Sequence, residues 1–224
     1  MNKTIKRILI GIVSIVIVLA GILYFAMLLM DNEDHHIGIE FLSDQLQDGD
    51  LIFQTSQSSQ SKAIQLATRS KFSHMGMIYI KDNKTYVFEA VQPVKITPIK
   101  EWINRGKNGY YIVKRLRKSD KILTPEVKSK MKHIGENYLG KDYDKYFEWS
   151  DQRIYCSELV WKVYKEAANI EIGELQRLKD FDLSSKIVKQ TLRARYGDRI
   201  PFDELVISPI QMLSSDKLIT IYEE

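Results

Sequence analysis

The sequence contains a single cysteine, Cys156, which excludes an internal disulfide framework. Histidine is almost as scarce. His35, His36, His74 and His133 offer no ligand cluster at metal spacing, so the pattern assigns neither a metal nor a cofactor. The adjacent pair His35-His36 reads as part of a solvated linker. Charge of one sign is also missing. The formal net charge is only +4, and Lys3, Lys6 and Arg7 supply three of those charges before the globular part begins. Lysine and arginine are otherwise spread along the chain, without the basic stripe of a nucleic-acid binder. Neither an internal repeat nor a low-complexity tract is present.

One long hydrophobic run is present. From Ile8 to Met30 no charged residue occurs, a length sufficient to cross a bilayer and greater than a signal-peptide core. Lys3, Lys6 and Arg7 precede it, while Asp31, Glu33 and Asp34 follow. The expectation is a transmembrane signal anchor over 8–30, with residues 1–7 cytoplasmic and the rest extracytoplasmic at the cell membrane. A cleaved signal peptide is the competing reading, but no small-x-small site stands out after the run. Residues 31–38 then form a linker spanning at most about 30 Å, and 39–224 form one domain.

Within that domain, Gln47-Asp48-Gly49-Asp50 reads as a turn before the strand Leu51-Ile52-Phe53. A helix follows, carried by Ala63, Ile64, Ala67 and Thr68, capped by Ser58, Ser59 or Ser61 and ended at Lys71-Phe72. Ser73 to Ile80 and Thr85 to Ala90 are rich in strand formers around Asp82-Asn83, which predicts a β-hairpin. If Asp82-Asn83 is a two-residue loop, Lys81 faces Lys84. His74 then lies diagonal to Glu89 on one face, where the two could meet.

Val94 to Thr97 reads as a further strand, with Thr97 then capping a short helix that opens with Pro98 and closes at Gly106. Tyr110 to Leu116 alternates as a strand. Thr124-Pro125 begins a helix that Gly140 ends. The aromatic run Tyr146-Phe147-Glu148-Trp149 reads as core. Toward the end come a polar helix around Leu183 to Arg195, a helix start at Ser208-Pro209 and a final strand, Leu218 to Tyr222.

Cys156 opens the stripe Leu159, Val160, Val163, Tyr164 and Ala167, the spacing of one buried helix face, with Lys162, Lys165 and Glu166 outside it. A thiol at a helix N-terminus meets unpaired amides and the positive end of the dipole, which favour thiolate. Taken alone, a free cysteine is more often a small buried hydrophobe. His74 alone reads as a core histidine, and Glu89 alone as a strand-edge charge. Together they form a set for nucleophilic catalysis: Cys156 attacks a carbonyl, His74 moves the proton and Glu89 fixes the ring. Replacing Glu89 by Gln is expected to do less harm than removing His74.

Four segments, Asp48-Gly49-Asp50-Leu51-Ile52-Phe53, Ser73-His74-Met75-Gly76-Met77, Val87-Phe88-Glu89-Ala90 and Tyr155-Cys156-Ser157-Glu158-Leu159-Val160, resemble the YiiX-like, circularly permuted members of the NlpC-type papain-fold cysteine hydrolases. The histidine strand precedes the cysteine helix, the order of the permuted branch. The resemblance implies an α+β, circularly permuted papain-like fold in which an antiparallel sheet packs with helices, here preceded by the transmembrane helix. It also implies Cys156 as nucleophile, His74 as base and Glu89 as the orienting residue. The motifs leave Asp180 to Arg199 uncovered. An outward-facing tethered hydrolase or acyltransferase would take an acyl lipid or a peptidoglycan peptide. The alternative is a non-catalytic binding or scaffolding module that keeps the fold, which would gain nothing from an activated thiol.

Overall fold

The computed structural model describes residues 15–25 and 45–223. Residues 15–25 are helical (α1) and exposed, and belong to a unit separate from the domain that begins at Leu46. Among the described residues no helix is long and apolar enough to cross a membrane. The remainder of the 8–30 run, the linker 31–38 and the start of the domain near Ile39 lie outside the described residues.

The domain is organised on one six-stranded antiparallel sheet. Its strands are β1 (Leu51–Ser56), β2 (His74–Lys81), β3 (Lys84–Glu89), β4 (Lys95–Pro98), β5 (Gly106–Leu116) and, from the end of the chain, β10 (Leu218–Glu223). Their order is β10-β5-β1-β2-β3-β4. The central position of β1 explains why Leu51, Ile52 and Phe53 are consecutive and all inaccessible: a middle strand is covered on both faces.

Gly49 turns the chain into β1 at φ +94°, a conformation L side chains avoid, with the Tyr164 hydroxyl donating to its carbonyl. Arg115 locks the same turn, donating from Nε and Nη2 to the two oxygens of Asp50, both at 2.7 Å. The Asp-Gly-Asp motif thus anchors the strand entry.

The hairpin expected at Asp82-Asn83 is present, both residues taking positive φ (50° and 56°) as a two-residue primed turn requires. Lys81 pairs with Lys84 and Met77 with Phe88, the register that sets Glu89 against Gly76. A Cβ at residue 76 would lie 2.4 Å from Val87 Cγ1 and 2.8 Å from the Phe88 carbonyl oxygen. Glycine is therefore the residue that allows β2 and β3 to close beside His74.

Eight α-helices and a 3-10 turn (Leu178–Asp180) complete the described chain. After α1 come α2 (Ser61–Thr68), α3 (Ile99–Asn104), α4 (Ser119–Ile122), α5 (Pro125–Glu136), α6 (Cys156–Ala168), α7 (Lys186–Tyr196) and α8 (Pro209–Leu213). Helix α6 packs on the sheet beside α5, with Leu159, Val160, Val163 and Tyr164 fully buried. Two short ribbons, β6 (Asp142–Tyr143) with β7 (Arg153–Ile154) and β8 (Gln176–Arg177) with β9 (Leu205–Val206), tie down the connections.

Several local expectations shift. Ser61 lies inside α2, and its hydroxyl contacts that of Ser73 at 2.7 Å, pinning the helix to the start of β2. That helix ends at Thr68, where Arg69 turns left-handed. Thr97 does not cap α3, because its hydroxyl is drawn to a buried carboxylate, and Gly106 opens β5. Helix α5 has the expected Thr124 cap but ends at Glu136, before Gly140. Lys162 is buried, its ammonium held by Glu158 at 2.9 Å and Asp151 at 2.7 Å, so α6 is covered over more of its circumference than its apolar stripe.

Because the cross-strand gap at Gly76 is closed by backbone and by a β-branched side chain, Gly76→Ala is expected to destabilise the domain by about 1 to 3 kcal/mol. Denaturant unfolding measures this, and an unchanged midpoint would contradict the packing described.

Candidate active site

Cys156 is the first residue of α6, 3% exposed, and Tyr155 before it takes extended backbone angles as an N-cap. The helix start is held from both sides. Ser157 donates its hydroxyl to the Ile207 carbonyl at 2.8 Å, and the Ile207 amide donates to the Tyr155 hydroxyl at 3.0 Å.

The His74 imidazole and the backbone N–H groups of Met75 and Ser157 are the neighbours that act on the thiol. Burial pushes its pKa up, but the imidazole and these amides outweigh it, so the thiol is more acidic than usual.

His74 Nε2 lies 2.6 Å from Glu89 Oε2, leaving Nδ1 as the ring atom for the thiol. The ring stacks on Trp102, with centroids 5.9 Å apart. Burial alone would lower the His74 pKa, yet the bonds to Cys156 and Glu89 raise it to about 9.

Glu89 is completely buried and saturated with donors. Besides His74 it accepts from Thr97 Oγ1 at 2.6 Å, Trp102 Nε1 at 2.9 Å and Arg105 Nη2 at 2.6 and 2.7 Å. Burial opposes ionisation, but His74, Arg105 and Thr97 hold its pKa down at about 2. The structure therefore brings together all three residues singled out from the sequence. It adds Thr97, Trp102 and Arg105, which no motif marked, since β4 and α3 carry them over Glu89 only once the sheet has formed.

Two recesses adjoin at the site. One, bordered by Cys156, has an almost wholly apolar wall that includes Ala63, Ala67, Tyr155, Leu178, Leu192 and Ile207. The other, bordered by His74, is polar and includes Gln57, Gln92, Arg105, Lys145 and Arg153. Ser73 and Tyr143 border both. Phe147, read from the sequence as core, faces the apolar recess, and α7 supplies part of its wall.

Residues 45–222 match the family described as the permuted papain-like amidase enzymes YaeF/YiiX, C92. The chain belongs to this family. It is 51% identical over 180 residues to the protein YiiX of Escherichia coli K12, covering 80% of this chain and 88% of that one. A solved structure, described as the metalloprotein yiiX from Escherichia coli O157:H7, superposes with a TM-score of 0.76 at 50% identity, covering 80% of this chain and 98% of the other. The domain is thus a papain-like cysteine hydrolase of the amidase type, with the α+β permuted fold expected from its motifs.

The donor shell bears on the expectation for Glu89→Gln. Every group around Glu89 donates to it, so Gln at this position would remove the charge that pairs with Arg105 and His74 and turn an NH₂ toward groups that donate in the wild type. Glu89→Gln is expected to lose about 3 to 5 kcal/mol of stability, the range for breaking a buried ion pair. A thermal melt at neutral pH reads this, and a change under 1 kcal/mol would refute the saturated shell.

The pair also sets a pH window. The raised His74 pKa gives stability that is complete below 6.5 and lost as pH rises through about 9, while the depressed Glu89 pKa gives stability complete above 4.5 and lost toward 2. Iodoacetamide should accordingly alkylate Cys156 at pH values where an ordinary thiol is protonated, and His74→Ala should return the profile to that of an ordinary thiol. An unshifted wild-type profile would exclude the ion pair.

Proposed function

We propose that the protein hydrolyses the amide bond of a substrate whose acyl part is apolar. The observation that carries this reading is the apolar recess running from Cys156 beneath α2 and α7, opposite a polar cleft on the His74 side. A bound acyl chain in the first places its carbonyl over the sulfur and directs its amine into the second. Burial of each methylene contributes about 0.8 kcal/mol, so chain length is the natural determinant of affinity.

The chemistry follows from the groups in place. Cys156 thiolate attacks the carbonyl carbon, and the tetrahedral oxyanion collapses with cleavage of the C–N bond. Imidazolium His74 gives its proton to the departing amine, leaving a thioester on Cys156 and neutral His74. Water enters from the polar cleft, His74 takes its proton, and the thioester breaks to release the carboxylic acid and restore thiolate and imidazolium. Glu89 holds Nε2 and stabilises the charged ring throughout. An amine or alcohol in place of water would make the same thioester an acyl donor.

A metal has no part in this scheme. Among the described residues no three His, Cys, Asp or Glu are grouped as a metal site. Around the thiol, Glu89 and one nitrogen of His74 are committed to each other and to Arg105, leaving two donors at most. That set does not fit a resident metal ion.

The uncharged run Ile8 to Met30 and the cations before it support an uncleaved anchor with the domain outside the cytoplasmic membrane. Such a tether keeps the site near acyl lipids as well as cell-wall peptides. The polar cleft, with Gln57, Gln92, Lys145 and Arg153, suits a peptide as the amine component.

Purified protein is to be assayed against N-acyl amino acids of increasing chain length and against muropeptides, with Cys156→Ala as blank. The expected result is kcat/KM rising with chain length through hydrolysis that depends on Cys156. Turnover confined to muropeptides would reject the acyl reading. For the anchor, protease added to cells with the outer face of the membrane exposed should digest the chain beyond Met30. Full protection would reject the orientation.

A further inference from the structure

A chain of hydrogen bonds runs between the two recesses. Arg195 Nη2 on α7 donates to Gln60 Oε1 at 2.8 Å, and Gln60 Nε2 donates to the Tyr143 hydroxyl at 2.9 Å. Arg195 borders the apolar recess, Gln60 borders the polar cleft, and Tyr143 borders both. The guanidinium also lies over the Phe147 ring, 5.0 Å from its centroid.

The direction of this chain is fixed by chemistry. A guanidinium has donors and no acceptor, so the Gln60 oxygen must face Arg195. The Gln60 NH₂ must then face Tyr143. The phenolic oxygen accepts, and its own hydrogen is left to point elsewhere. Cys156 borders the same apolar recess as Tyr143 and is near enough for its charge to act on the phenol, as are Arg195 and Asp144. Burial first, then the charge of the nearby sulfur, keeps the phenol protonated far above neutral pH, so the hydrogen is always present. Tyr143 itself is set by β6, which pairs Tyr143 with Ile154 two residues before the cysteine.

We propose that Arg195 and Gln60 are positioning residues that force Tyr143 to donate its hydroxyl hydrogen to the oxyanion formed on the substrate carbonyl at Cys156. The inference rests on the thioester chemistry above and assigns a role to α7, whose inward side also walls the apolar recess. An amide held in one orientation supplies a donor that needs no reorganisation as charge develops. With Arg195 absent, Gln60 would be free to turn over, present its oxygen to Tyr143 and draw the phenolic hydrogen away from the site.

The discriminating variant is Gln60→Glu. A carboxylate keeps the bond to Arg195, now as an ion pair, but it only accepts, so the Tyr143 hydrogen turns toward it and away from the substrate. Two readouts on the full-length protein separate the consequences: the acylation burst with a p-nitrophenyl fatty acyl ester, which passes through an oxyanion, and alkylation by iodoacetamide, which does not. Gln60→Glu and Tyr143→Phe should each slow acylation by about 100- to 1,000-fold, the usual loss for one oxyanion donor. The double variant should be no slower than either single one. Arg195→Met should slow acylation in the same direction, while alkylation at high pH and the melting temperature stay near wild type in Gln60→Glu. Wild-type acylation in Gln60→Glu, or equal losses of acylation and alkylation, would overturn the relay. A wild type that alkylates but never acylates would overturn the amidase reading and the relay with it.

Discussion

The structure depends on one fully buried carboxylate, Glu89. An isolated charge in that position would be prohibitively expensive, and it remains ionised because four side chains converge on two oxygens. This requirement shapes the sheet edge. Strand β4 must run beside β3 so that Thr97 reaches Glu89, α3 must follow at once so that Trp102 and Arg105 do, and Gly76 must leave the space in which β2 and β3 bring His74 to Nε2 contact. The imidazole then inherits the field of the carboxylate and passes it to the thiol. The acidity of Cys156 is therefore a property of the sheet edge as much as of its own helix.

The parts legible in the sequence are those set by local rules. Asp82-Asn83 fixes a two-residue turn, the turn fixes the register, and the register places His74 and Glu89 on one face. The apolar period beginning at Cys156 places the thiol at a helix start. What escaped were contacts made by residues whose local pattern argues for something else. Thr97 before Pro98 is a good helix cap by pattern, but a buried carboxylate competes for its hydroxyl and wins. Lys162 falls off the apolar stripe of α6, yet Glu158 one turn earlier and Asp151 in the preceding loop draw its ammonium inward. In both cases a charge brought near by tertiary folding overrides a short-range preference.

Helix α7 shows the same limit on a larger scale. Its composition is polar, and Lys186, Lys189 and Arg193 occupy the side exposed to solvent. Val188, Leu192 and Arg195 fall on the opposite side at helical spacing and close the apolar recess against α2. Only three or four positions carry this function, too few to mark the helix as part of a site before α2 is seen against it. The exposed positions can change without touching the recess.

The division of the site into an apolar and a polar half decides more than affinity. On the proposed reading, an acyl chain seated against Leu178 and Leu192 leaves the thioester carbonyl beside the cleft that His74 borders. On the same reading a nucleophile in that cleft meets the base, so water gives hydrolysis and a bound amine or alcohol would give transfer. Among the described residues the cleft is lined by cations, amides and hydroxyls, with Asp142 as its one carboxylate. It suits an anionic or neutral polar group better than a second chain of hydrocarbon. The thiol activates the acyl group, while the cleft sets its destination.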